Sequence, residues 1–326
     1  MHERENARVE WLGSIIANEE FIVTPLAGDA SFRSYFRIKS PNQSRVLMDA
    51  PPDKESLTQF IHVSQTLTNA DVLTPELLAI DKAQGFLLLS DFGDELLLNK
   101  LQSQNADDYY IKAINTLLKI QSCCINDPQL PPFDEQFMMQ EMELCSEWFF
   151  RAYLDLKFTT EERSIIQKTM QLIASEVAHQ PIVFIHRDYH SRNLMLVMKN
   201  EHEELGVIDF QDAMRGPLTY DLVSLLKDCY ISWPRDRIIE WVTYFYESCE
   251  LAHSYSLPEF IKAFDLAGLQ RHIKVLGVFC RLNLRDKKSG YMKDLPRTLA
   301  YVRECAEMYP ELHPFFELLQ NRVNLI

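Results

Sequence analysis

The chain has 326 residues, 47% hydrophobic and 25% charged, which suits one large globular domain or two lobes with ample length for a buried core. Its 33 basic against 47 acidic residues give a formal charge of −14, which argues against nucleic acid or an anionic membrane as the main partner. Seven cysteines without a CxxC pair, no apolar leader and no run of about 18 apolar residues lead us to expect reduced thiols in a cytoplasmic protein without a membrane span.

The N-terminal segment 5–20 reads as a short amphipathic helix with Val9, Trp11, Leu12, Ile15 and Ile16 on its apolar side. Alternating strands follow at Phe21–Leu26, Ser34–Ile38 and Arg45–Asp49, the last ended by Pro51-Pro52. A helical segment 53–69 precedes two further strands, Glu76–Asp81 and Phe86–Ser90. After the break Asp91-Phe92-Gly93-Asp94 the period becomes helical, over 95–104, 106–124, 134–155 and 159–179. Three short strands, Ile182–Ile185, Leu194–Met198 and Leu205–Ile208, interrupt this run before helices 218–231, 234–253, 257–283 and 295–320. The expected class is therefore α+β, with a β-rich N-lobe over 1–92 and a helical C-lobe over 93–326.

The chemistry concentrates between Pro181 and Phe210. The first central strand leads into HRDYHSRN, and the third ends in Ile208-Asp209-Phe210. Asp188, Asn193 five residues on, and Asp209 sixteen beyond that reproduce the spacing of the base and metal set in the protein-kinase fold. That spacing predicts Asp188 facing an acceptor hydroxyl, with Asn193 and Asp209 holding Mg²⁺ on the phosphates of ATP. Taken singly, each is ordinary turn punctuation. His186 and His190 lack the helix and intervening Glu of a zinc site, and both read as braces for the loop, His190 being able also to touch phosphate.

Upstream, Gly28, Asp29, Ala30, Ser31 and Phe32 join the first two strands, where small residues let backbone N–H groups approach phosphate. Arg33 at the loop's edge is the nearest cation. Backbone groups at Ser90, Asp91 and Phe92 form the expected adenine-binding hinge. The third strand carries Met48 and Asp49 where kinases place a phosphate-binding Lys, and the next helix offers Gln59, His62 and Gln65 in place of its partner Glu. Mg²⁺, loop N–H groups and Arg33 or Arg37 are then left to meet the phosphate charge.

HRDYHSRN, GVIDFQDAMRGPLTYDL and GDASFRSYFR together resemble the aminoglycoside phosphotransferase and choline-kinase-like family, with its bilobal protein-kinase-like fold. LMDAPP, FQDAMRGPLTYD, Ser232-Trp233-Pro234 and QRHIKVLGVFCRLNLRDKKSGYMKDLPR resemble its branch of N-acetylmuramate and N-acetylglucosamine anomeric kinases of bacterial cell-wall recycling. The resemblance spans about residues 20–305 and implies ATP-dependent phosphorylation of an amino sugar at C1; we expect a monomer. It also implies that Asp221 supports the catalytic loop. Gln211, Asp212, Arg215, Gln270, Arg271, His272 and Arg281 are the candidates for reading the acceptor. The same fold acting on an aminoglycoside, choline or homoserine, or a nucleotide-binding pseudokinase, are the competing readings.

Overall fold

The computed structural model describes residues 2–16, 20–26, 32–41, 43–199 and 201–324. The polypeptide forms two compact units, Met1–Leu96 with Leu194–Asp212, and Leu97–Asn193 with Ala213–Ile326. The segment 194–212, which a contiguous division at 92/93 leaves in the helical part, packs with the β-rich unit.

In the β-rich unit, helix α1 (His2–Ile15) lies on a five-stranded antiparallel sheet. The strands are β1 (Ile22–Pro25), β2 (Ser34–Ser40), β3 (Gln43–Asp49), β4 (Leu77–Asp81) and β5 (Phe86–Ser90), in the order β1-β2-β3-β5-β4. Trp11, Leu12 and Ile16 pack on Ile38, Leu47, Phe86 and Leu88 to form the core on that side. Burying each large apolar side chain contributes about 1.5–3 kcal/mol, which outweighs the weak intrinsic stability of a short helix. The helix is also tied by charge. Arg4 Nε donates to Asp49 Oδ1 at 2.8 Å, and Arg8 lies 3.2 Å from Asp49 Oδ2.

Asp49 is buried on the α1 face of β3, whereas Met48 lines a pocket beside α2 (Leu57–Asn69) with Leu57 and Phe60. Side chains alternate along a strand. Of the two residues found where kinases carry the Lys, only Met48 therefore points toward the pocket. Helix α2 starts later than the expected residue 53, because Ser56 caps it by accepting a hydrogen bond from Thr58 N at 3.2 Å.

The helical unit begins with α3 (Leu97–Lys100), α4 (Ala106–Gln121) and α5 (Glu135–Leu144). The single helix expected over 134–155 instead changes at Cys145 to π winding, which runs to Tyr153. Helix α6 (Thr160–Ala178) opens with a Thr159/Glu162 capping box. Strand β6 (Ile182–Ile185) follows it; the hairpin of β7 (Leu194–Lys199) and β8 (His202–Val207) then belongs to the β-rich unit. Back in the helical unit, β6 pairs with β9 (Met214–Pro217), a strand the sequence analysis did not anticipate. The MRGP segment has no alternation of its own and is a strand only through its partner.

Helix α7 (Tyr220–Leu226) is buried along its whole length and is shorter than the expected 218–231. Beyond it come α8 (Arg235–Ser248), α9 (Leu257–Leu284), α10 (Leu295–Met308) and α11 (His313–Arg322). The expected helix 295–320 is split at Pro310, which starts a 3₁₀ turn. Helix α9 runs through the interior of this unit. At Gly277 an added Cβ would lie 2.3 Å from the Leu144 carbonyl carbon, so only glycine allows this approach to the end of α5. Six of the seven free cysteines are buried and Cys124 is exposed.

Candidate active site

In the helical unit, β6 delivers the chain into HRDYHSRN, and α7 holds the loop from below. Asp221, in the first turn of α7 and wholly buried, accepts from the backbone N–H of His186 at 2.6 Å and of Arg187 at 2.9 Å. Arg187 takes a left-handed backbone with φ 75°, a conformation that costs a non-glycine residue energy and persists only where the surroundings hold it. His186 is buried and its Nδ1 accepts from Asp188 N at 3.3 Å. Farther along, Asp228 Oδ2 accepts from Ser191 N at 3.0 Å and from its hydroxyl. His190 sets its ring edge-on to Tyr230, and burial lowers its pKa to about 4, so it is neutral near pH 7.

The carboxylate of the loop is Asp188, whose side chain is 39% exposed. Asn193 Nδ2 donates to the Asp188 carbonyl at 2.9 Å, which presents the amide oxygen on the other side. Arg271 on α9 donates to the Arg187 carbonyl at 2.8 Å and lies 3.4 Å from Asp188 Oδ1. Burial opposes the charge on Asp188, but Lys274 and Arg271 outweigh it and hold the carboxyl well below the usual carboxylate range. Glu141 on α5 completes the group. It meets Arg187 at 2.8 Å, Lys274 at 3.3 Å and Gln270 Nε2 at 3.3 Å.

In the β-rich unit, Asp209 follows β8 with φ 63°, the same left-handed region that Arg187 occupies. Gln211 Nε2 donates to Asp209 Oδ1 at 2.7 Å and to Asp212 Oδ2 at 3.3 Å. Gln211 and Asp212 line a pocket of about 200 Å³ with Arg33, Met48, Ala50, Glu55 and Gln59. Arg33 Nε forms an ion pair with Glu55, whose other oxygen accepts from Phe32 N at 3.1 Å.

Gly28, Asp29, Ala30 and Ser31 lie outside the described residues. Arg37, the other cation considered for phosphate, is instead committed to Asp91 at 2.7 Å and Asp94 at 2.8 Å. At the hinge, Ser90 N already donates to the Glu76 carbonyl at 3.0 Å, so its N–H cannot serve adenine. Phe92 packs its ring over Gly206, where a Cβ would come within 2.6 Å.

Among the acceptor-reading candidates, Asp212 and Arg215 are exposed, in different units. Arg271 is 5% exposed and spent on the loop, and His272 is bonded to the Lys227 carbonyl at 2.8 Å. The Nε of Arg281 is buried and has no hydrogen-bond partner among the described residues. Sequence reasoning missed Lys274, Glu141 and Glu55, which carry no local motif and are brought to their partners by topology. Only Arg187, inside HRDYHSRN, could have been picked out from its neighbours.

The sequence profile of the phosphotransferase enzyme family matches residues 22–251. A relative from Pseudomonas putida, named N-acetylmuramate/N-acetylglucosamine kinase, is 40% identical over 91% of this chain and 87% of its own. One of the same name from Neisseria meningitidis is 35% identical over 97% and 95%. Among solved structures, the GDP complex of aminoglycoside 2′-phosphotransferase-IIIa superposes with a TM-score of 0.65 at 14% identity, covering 94% of this chain and 99% of that one. Choline kinase LicA from Streptococcus pneumoniae gives 0.65 at 11% identity, covering 93% and 99%. With this fold and these relatives, the chain belongs to the phosphotransferase enzyme family and has the protein-kinase-like fold of aminoglycoside phosphotransferases and choline kinases.

Proposed function

We propose that the chain transfers the γ-phosphoryl group of ATP to the anomeric C1 hydroxyl of N-acetylmuramate and N-acetylglucosamine, giving the sugar 1-phosphate. The observation that carries this reading is the 40% identity, over 91% of the chain, to a relative named for those two sugars. The reaction breaks the bond from Pγ to the β,γ-bridging oxygen and forms one to the sugar oxygen, while the hydroxyl loses its proton. Phosphoryl transfer asks the protein for alignment and charge, with little covalent help. Asp188 accepts a hydrogen bond from the hydroxyl and aims its lone pair. Arg271 holds that carboxylate in place, and Asp221 fixes the two preceding amides.

On the nucleotide side, we assign phosphate contacts to Arg33 and to N–H groups of the 27–32 loop, and adenine contacts to backbone at Asp91 and Phe92. The Asn193 amide oxygen and the Asp209 carboxylate are hard oxygen donors of the kind Mg²⁺ takes, and we assign the metal to them. When bound with ATP, Mg²⁺ neutralises charge on the phosphates. No helix among the described residues is long and apolar enough to cross a membrane. The reading places a monomer in the cytoplasm, with ATP at hand.

The test is an acceptor panel with Mg²⁺-ATP. Turnover of the two amino sugars with loss of their reducing ends, and none of kanamycin or choline, is the expected result. Consumption of kanamycin or choline in preference to both sugars, or phosphate found at another hydroxyl, overturns the assignment.

A further inference from the structure

The helical unit gathers more basic groups at Asp188 than alignment of one hydroxyl requires. Arg271 is committed to the loop carbonyl of Arg187, and Arg187 to Glu141. Lys274 is different. Its ammonium meets Glu141 Oε1 at 3.3 Å and has no other hydrogen-bond partner among the described residues. An ammonium carries three donors, so two are unclaimed. The side chain is 12% exposed, which leaves the head within reach of a ligand.

Glu141 does not need this lysine, since Arg187 and Gln270 already bond to its two oxygens. One turn away on α9, Gln270 Nε2 points to Glu141, and its Oε1 is buried without a partner. A buried orphan acceptor and an ammonium with unclaimed donors are each costly unless a hydrogen-bond partner meets them.

We propose that Lys274 anchors a carboxylate carried by the acceptor, with Gln270 Oε1 receiving an N–H or O–H of the same molecule. This rests on the sugar-kinase reading and divides its two acceptors, one an acid and the other neutral. A point charge on a flexible stem suits that task better than a fork already locked to a carbonyl. With the neutral sugar, Lys274 keeps its pair with Glu141 and no charge is stranded. With the acid, it gains a second ion pair that the neutral sugar cannot supply.

The experiment measures Lys274→Met and Lys274→Arg on N-acetylmuramate and N-acetylglucosamine at saturating ATP. Lys274→Met is expected to lower kcat/KM for the acid at least about tenfold more than for the neutral sugar, mainly through KM. Lys274→Arg restores part of the difference. A substrate-side control leaves the protein intact: the methyl ester of N-acetylmuramate is expected to lose the same advantage on the unaltered chain. Equal losses on both sugars, no loss on either, or an ester as good as the acid each overturn the Lys274 assignment alone. Turnover of neither sugar by the unaltered chain sinks the kinase reading itself, so the two failures are distinguishable.

Discussion

Asp188 is a weak base by construction. Burial would push its carboxyl up, yet Lys274 and Arg271 dominate and keep it ionised at any working pH. In the proposed transfer, a carboxylate so stabilised aligns the hydroxyl and takes its proton late, in keeping with a loose transition state. Asp188→Asn preserves shape and removes charge, so kcat should fall by about 10²–10⁴-fold while nucleotide affinity, read by titration, is retained. Unchanged turnover would remove Asp188 from the reaction. The pH dependence of stability has a fixed sign. The folded pKa lies below the unfolded value of about 3.9, so the native state binds fewer protons and the contribution is complete above that value. The melting difference between the unaltered chain and Asp188→Asn should be flat from about pH 8 to 5 and shrink below about 4. A gap that widens on acidification contradicts the shift.

Strand β3 shows how a strand's two faces divide its labour. Leu47 and Asp49 serve α1, through the core and the Arg4 and Arg8 pairs, while Met48 and Ala50 line the pocket that also holds Arg33, Glu55 and Asp212. The Arg33–Glu55 pair, from the residues just before β2 and just before α2, is proposed to supply the charge pair that β3 does not carry. Glu55→Gln and Arg33→Met should each raise KM for ATP about tenfold, a charge-assisted bond's worth. Because the two residues act as a unit, the double variant should cost no more than the worse single one; additive losses would show that they act separately. Asp188, Asn193 and Asp209 stand out in the sequence because their spacing falls within one short run of strands and loops, 182–210. The sequence could not show Glu55 or Lys274, whose neighbours in sequence are unremarkable and whose partners are fixed by packing. Which of Met48 and Asp49 faces the pocket is open in the sequence, and a period of two puts them on opposite faces. β9 escaped because pairing with β6, and not composition, makes it a strand.

The order of the chain and its compact units do not coincide. The β7–β8 hairpin follows the catalytic loop in sequence but belongs with residues 1–96. Leu196 N donates to the Glu95 carbonyl at 2.9 Å, and Val207 N to the Leu73 carbonyl at 2.8 Å. Phe210 rests on Phe60 with ring centroids 4.9 Å apart. Cutting before Leu97 would thus strip cover from Leu196, Leu205, Val207 and Phe210, all buried in the intact chain. At about 1.5–3 kcal/mol each, those four represent about 6–12 kcal/mol, comparable with the stability of a whole domain. The fragment 97–326 should therefore be insoluble or melt without cooperativity. Replacing residues 194–212 of that fragment with a short Gly/Ser connection removes the stranded hairpin and should restore a cooperative transition, followed by near-ultraviolet circular dichroism. If the plain truncation unfolds as sharply as the intact chain, the hairpin does not depend on the β-rich unit.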